Sequence, residues 1–248
     1  DEAGRCVGLY KDGDVNTKLL QQYNGKGGHS AWGWGTAGVT TVDGSNIYIA
    51  NASGELLRFQ WTPGNINSAR YLDMATLSDP KGKEKESKQE KAARAVSFVS
   101  ARNGKLYIVQ HNGDIQIRRQ KDLGKESTLN IPGATQAVPD AEGNLWVLAK
   151  DQVGLYSAAG KALGKNIEGL GKPVSIAFGN KEPHLIICDD GPRQQVLFYD
   201  VSGTPKLVKA FGAEGGIGSG TPGEVKPNKF FCLKGAGTDN QGKIYVGM

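Results

Sequence analysis

Short apolar runs separated by polar turns dominate the chain, and one such run recurs five times. The copies are Asn46-Ile47-Tyr48-Ile49, Lys105-Leu106-Tyr107-Ile108, Asn144-Leu145-Trp146-Val147, His184-Leu185-Ile186-Ile187 and Lys243-Ile244-Tyr245-Val246. Equivalent residues stand about 59, 39, 40 and 59 positions apart. Each copy follows a weaker apolar stretch (Gly38 to Val42, Ala95 to Val99, Thr135 to Val138, Val174 to Phe178, Gly235 to Thr238) and a polar turn such as Asp43-Gly44, Asn103-Gly104, Glu142-Gly143 or Gln241-Gly242. Asn, Asp and Gly tolerate the positive φ that tight hairpins require. Four copies lead on to a third stretch: Leu56 to Phe59, Ile115 to Ile117, Val153 to Tyr156 or Val196 to Tyr199. A more polar fourth, such as Lys206 to Lys209, closes the unit.

Four antiparallel strands in a repeat of ~40 residues predict an all-β protein. The architecture expected is a β-propeller of four-stranded antiparallel blades, about five of them, with residues 1–248 as a single domain. Residues 75–94 read as an insertion, with a short exposed helix over Glu84 to Ala92. Cys6-Val7-Gly8-Leu9-Tyr10 and the following Lys11-Asp12-Gly13 read as a third strand and its turn, whereas the chain ends just after a second strand. Two readings of these half-blades, at 1–28 and 225–248, stand open. They join in one blade and close the ring, removing its exposed edges, or the chain is a segment of a longer propeller.

Composition narrows the classes. The 36 glycines among 248 residues have no three-residue period, which excludes collagen. No run approaches the ~20 apolar residues needed to span a bilayer, so no membrane span is expected. The net charge is only +5, and the segment from Lys81 to Arg94 holds six Lys or Arg against three Glu. That reads as a solvated insertion rather than a nucleic-acid groove, and no nucleic-acid partner is expected. Cys6, Cys188 and Cys232 lack the spacing of a disulfide framework or a zinc site. The start at Asp1, with no initiator Met or leader, reads as a processed or excised segment.

From Phe211 onward the chain resembles the NHL-repeat type of bacterial propeller. The residues that carry the likeness are Phe211-Gly212, Gly215-Gly216, Gly220-Thr221-Pro222-Gly223, Pro227, Gly237-Thr238-Asp239, Gly242 and Ile244-Tyr245-Val246. Asp140, Gly143-Asn144 and Leu145-Trp146-Val147 repeat the later part of that pattern, while Ser100-Ala101-Arg102 departs from it. The resemblance implies a propeller fold and a secreted or cell-surface location. It implies no single activity, since such propellers host binding modules, lyases and lactonases alike.

Candidate chemistry falls on the loops. Gly28-His29-Ser30-Ala31-Trp32-Gly33-Trp34-Gly35 sets two indoles in a glycine-flanked loop. Trp32 and Trp34 either plug the space between blades or stack on a sugar ring or other planar ligand, with His29 or Ser30 as a polar handle. Asp189-Asp190-Gly191-Pro192-Arg193 reads either as a turn with a local ion pair or as a loop binding a sugar hydroxyl, a substrate carboxylate or Ca²⁺. His111-Asn112-Gly113-Asp114 reads as an Asn-Gly hairpin, with His111 and Asp114 as further ligand candidates. No nucleophile elbow, His-Glu-x-x-His or phosphate-loop motif occurs.

The function expected is therefore a non-catalytic extracellular binding or interaction module, with carbohydrate or another extracellular protein as partner and no cofactor required. A metal-dependent lyase or lactonase using His29, His111, Asp114 and Asp190 is the alternative, with a divalent ion such as Ca²⁺. A structural segment of a large secreted protein is a further one.

Overall fold

The computed structural model describes residues 8–9, 18–19, 39–50, 54–77, 87–179, 184–221, 223–239 and 241–248. The chain divides into two compact units, Asp1–Thr135 and Gln136–Met248. In the first, β1 (Gly8–Leu9) pairs with β2 (Lys18–Leu19). Blade I follows as β3 (Val39–Asp43), β4 (Asn46–Ala50), β5 (Glu55–Thr62) and β6 (Asn65–Thr76). Helix α1 (Lys88–Ala93) precedes blade II, formed by β7 (Val96–Arg102), β8 (Lys105–Gln110), β9 (Asp114–Arg119) and β10 (Lys125–Asn130). Blade III is β11 (Ala134–Pro139), which starts at the unit boundary, with β12 (Leu145–Ala149), β13 (Gln152–Tyr156) and β14 (Ala162–Ile167). In the second unit, blade IV is β15 (Pro173–Phe178), β16 (His184–Asp189), β17 (Gln195–Asp200) and β18 (Lys206–Phe211). A pair formed by β19 (Gly235–Thr238) and β20 (Ile244–Gly247) ends it.

The fold is an all-β propeller, and the described residues form four antiparallel four-stranded blades, each a simple up-and-down meander. The expectation of about five is corrected to four. Counting first and second strands gives five of each, but β19 and β20 form a two-stranded sheet of their own, as do β1 and β2.

Burial explains why the second strands carry the repeat. Ile47 to Ala50, Leu106 to Gln110, Leu145 to Leu148 and Leu185 to Asp189 are buried residue after residue. A strand flanked by two others and covered on both faces reads as an apolar run rather than an alternation. Tyr48, Ala50, Leu56 and Leu77 of blade I pack against Val99, Leu106, Ile108 and Leu123 of blade II. In the second unit Ile186, Cys188, Val196 and Phe198 pack with Phe230 and Leu233. The fourth strands of blades II, III and IV are largely exposed. The register between the third and fourth strands slips once in blades II, III and IV and twice in blade I, as a β-bulge or a wider irregularity. Such bulges sharpen the twist and re-aim side chains at a sheet edge.

The turns obey their chemistry: Asn103 (φ 52°) and Gly104 (φ 74°) both take the left-handed conformation of a two-residue hairpin. The helix expected over Glu84 to Ala92 forms over Lys88–Ala93, because Ser87 caps it. The Glu90 amide donates to Ser87 Oγ (3.2 Å) and the Ser87 amide to Glu90 Oε2 (2.8 Å). Among the described residues no helix is long and apolar enough to cross a membrane.

Candidate functional site

The third strand of blade II departs from its counterparts. The positions paired with the central second-strand isoleucines Ile49 and Ile187 are Leu57 in blade I and Leu197 in blade IV. Blade II pairs Ile108 with Gln116 instead, and two residues on, where blade I has Phe59 and blade IV has Tyr199, it has Arg118. Gln116 and Arg118 are only 5% and 6% exposed, and Gln110 3%. Burial of such groups is tolerated only when their hydrogen bonds are made.

Here they are made in a chain. Gln110 Nε2 donates to the Arg94 carbonyl (2.9 Å), and Gln116 Nε2 to Gln110 Oε1 (3.3 Å) and the Leu77 carbonyl (2.8 Å). Arg118 Nε donates to Gln116 Oε1 (3.1 Å), while its two terminal nitrogens reach the carbonyls of Leu123 (2.9 Å) and Thr76 (3.0 Å). Blade II thus ties itself polar-to-polar to the end of blade I's last strand.

Gln110 and Gln116 of this network line a cavity of about 320 Å³ together with Leu77, Arg94, Asp114, Lys125 and Thr128, and Arg118 braces Gln116 from behind. Of the sequence-stated candidates, Asp114 lies in its wall. The Asp114 carboxylate accepts from Asn112 Nδ2 (2.8 Å) and Asn130 Nδ2 (2.7 Å), which fixes its orientation. His111 sits exposed in the adjoining turn and does not line the cavity. The arrangement presents cationic, anionic, amide and hydroxyl groups to one solvent-accessible space.

The Asp189 loop is built differently. Asp189 is fully buried, and its carboxylate accepts from the main-chain amides of Lys172 (2.7 Å), Gly171 (2.9 Å) and Gly191 (3.0 Å). Such close approach needs glycine: a Cβ on Gly191 would stand 2.8 Å from Gly171 Cα and Lys172 N. Asp190 accepts from Lys172 Nζ (3.0 Å) and the Leu233 amide (2.8 Å), tying the loop to the segment before β19. The Lys172 hydrogen bond, helped by the Leu233 amide, holds the Asp190 carboxyl below the usual carboxylate range against the opposing effect of burial. Arg193 offers its carbonyl to the Gly215 amide (2.9 Å), and its charge partly offsets the upward push of burial on the Tyr199 hydroxyl.

His29, Trp32 and Trp34 lie outside the described residues. Cys188 is buried, and burial followed by the charge of Asp190 pushes its thiol up to about 12. Among the described residues no group of three or more His, Cys, Asp or Glu side chains is placed to hold a metal ion. The buried Gln110–Gln116–Arg118 chain escaped the sequence reading, although polar residues alternating with Ile115 and Ile117 were its visible trace.

No protein-family model and no curated protein matches the chain. Solved structures do share its fold. A functionally unknown protein from Desulfotomaculum acetoxidans aligns over 100% of this chain and 70% of its own, at 12% identity and a TM-score of 0.64. A protein of unknown function from Bacteroides caccae aligns over 92% and 74%, at 14% identity and a TM-score of 0.58. Virginiamycin B lyase from Staphylococcus aureus aligns over 85% of this chain and 62% of its own length, at 12% identity and a TM-score of 0.54. At these identities the likeness is one of fold, and the chain is a β-propeller similar to all three.

Proposed function

We propose that the protein is a non-catalytic extracellular binding module whose blade I–blade II cavity holds a polar small molecule, carbohydrate being the favoured class. The observation that carries this reading is the buried Gln110–Gln116–Arg118 chain beneath an open cavity walled by Asp114, Lys125 and Thr128. Replacing aliphatic packing by a polar chain gives up hydrophobic stabilisation, and a pocket with convergent polar groups is the usual setting for a ligand. Hydroxyl-rich rings match walls that both donate and accept. A cavity of about 320 Å³ suits one or two sugar units. Trp32 and Trp34 belong to this reading as stacking faces. The NHL type is inferred with it, on the Phe211 to Val246 motif, whose Gly215 and Gly216 take positive φ (86° and 52°) as its glycine-rich loop demands.

A glycan array followed by titration calorimetry tests the proposal. A glycan that binds the native chain should lose about tenfold or more in affinity on Thr128→Val together with Asp114→Ala, with the fold retained by circular dichroism. Unchanged affinity in that variant would remove the cavity from the reading. The alternative of a metal-dependent lyase shares a fold with virginiamycin B lyase. It predicts a stoichiometric divalent ion by elemental analysis, which the binding-module reading does not require.

A further inference from the structure

Blade I and blade IV treat the same rim position in opposite ways. In blade I, Tyr48 pairs with Arg58 and Arg58 with Asp73 across the second, third and fourth strands. Arg58 and Asp73 form an ion pair, and Gln120 of blade II fills the space beside them. Tyr48 Oη donates to Gln120 Oε1 (3.2 Å) and Arg58 Nη1 to the Gln120 carbonyl (2.5 Å). The seat is filled and its charges are neutralised.

The corresponding residues of blade IV are Ile186, Phe198 and Lys209. An aromatic ring replaces the guanidinium, and a cation replaces the carboxylate. Phe198 pairs with Lys209 and Tyr199 with Leu207, so Val208 is the bulged residue. Placing an extra residue in the strand lets Val208 and Lys209 line one space together, where regular alternation would send them to opposite faces. The Lys209 ammonium stands 5.5 Å from the Phe198 ring centroid and 6.0 Å from that of Phe211. It meets no carboxylate among the described residues. Beside it lies a cavity of about 370 Å³ lined chiefly by Phe198, Val208, Ile244, Thr238 and His184. Val208 remains 47% exposed there.

We propose that this cavity binds a small amphipathic carboxylate. Its apolar body lies against Phe198, Val208 and Ile244, and its carboxylate meets the Lys209 ammonium. At ~30 Å³ per heavy atom, such a space takes roughly a dozen non-hydrogen atoms. The aromatic faces under Lys209 hold the ammonium at the mouth by cation–π attraction, so little side-chain freedom is lost on binding. The site is separate from the blade I–blade II cavity and stands or falls without it.

Octanoate, with octanol and octyltrimethylammonium as uncharged and cationic counterparts, tests the proposal on the full chain. Binding is followed by the ¹H–¹³C methyl shifts of Val208 and Ile244. Octanoate should move both resonances and bind about fivefold to tenfold more tightly than octanol. The exposed Lys209→Met change should abolish that preference while leaving the fold intact, and Lys209→Arg should keep it. No shift at Val208 and Ile244 with octanoate would overturn the site. Equal binding of octanoate and octanol, or a preference unaltered in Lys209→Met, would overturn the role of the ammonium.

Discussion

Asp189→Asn separates a structural carboxylate from a ligand-binding one. In the native loop Oδ1 accepts from the Lys172 and Gly191 amides and Oδ2 from the Gly171 amide, and the carboxylate itself is fully buried. Asparagine keeps one oxygen. Whichever way its amide turns, an NH₂ group faces one or two main-chain donors and, buried as the side chain is, finds no acceptor there. At about 1–3 kcal/mol for a buried side-chain group left unsatisfied, with the lost main-chain hydrogen bonds added, the substitution should cost about 2–4 kcal/mol. That is a large part of the about 5–15 kcal/mol by which domains are commonly stable. Urea denaturation followed by tryptophan fluorescence reads it as a lowered midpoint at unchanged slope. A shift within about 0.5 kcal/mol of the native chain, the usual range for inconsequential surface changes, would refute the reasoning. A variant of native stability that had lost affinity for a glycan would return Asp189 to the role of a ligand group.

Other consequences follow from the same geometry. In a Cys6→Ser chain at pH 8, Ellman's reagent should label the exposed Cys232 at once and Cys188 only after denaturation, because burial holds the Cys188 thiol protonated; two fast thiols would contradict this. Since the folded pKa of Cys188 exceeds its unfolded 9.0, its contribution to stability is whole below about pH 9 and is lost as pH rises toward about 12. Asp190 behaves in the opposite sense. Its lowered pKa contributes stability above the ordinary value of 3.8 that disappears as pH falls, so Asp190→Asn should flatten the acid limb of the stability curve, and an unchanged limb would speak against the Lys172 and Leu233 contacts. Gly113→Ala should lower the melting temperature more than Gly143→Ala. Both take positive φ (84° and 86°), but only at Gly113 would a Cβ meet backbone, 2.6 Å from the Ile131 carbonyl oxygen; equal losses would count against the packing of that turn.

Strand grammar was legible because each blade repeats its local rules. Apolar second strands, Asn-Gly or Asp-Gly turns and polar fourth strands are all decided within a few residues, and the observed strands fall on the expected ones. Blade number was less legible, since half-blades read the same as whole ones until pairing is known. The helix start was spelled out by Ser87 and Glu90, a capping pair whose reciprocal bonds outweigh the charge alternation around them. The blade I–blade II cavity was hidden for a different reason. Asp114, Gln116 and Arg118 alternate with Ile115 and Ile117 just as on a strand with one wet face. Only the carbonyls of Thr76 and Leu77, some forty positions earlier, turn that face into an interior. Asp189 and Asp190 drew notice as a carboxylate pair, but most of their partners (Gly171, Lys172 and Leu233) lie on other segments of the chain, which no local motif announces.

Ligand binding over the Gln110–Gln116–Arg118 chain is tested most directly by the side-chain amide spectrum of the protein during titration with an array-selected glycan. The resonances of Gln110, Gln116 and Asn130, the last of which anchors Asp114, should shift together and saturate with the calorimetric affinity. A glycan that binds while leaving all three unmoved would place its site elsewhere and contradict the assignment.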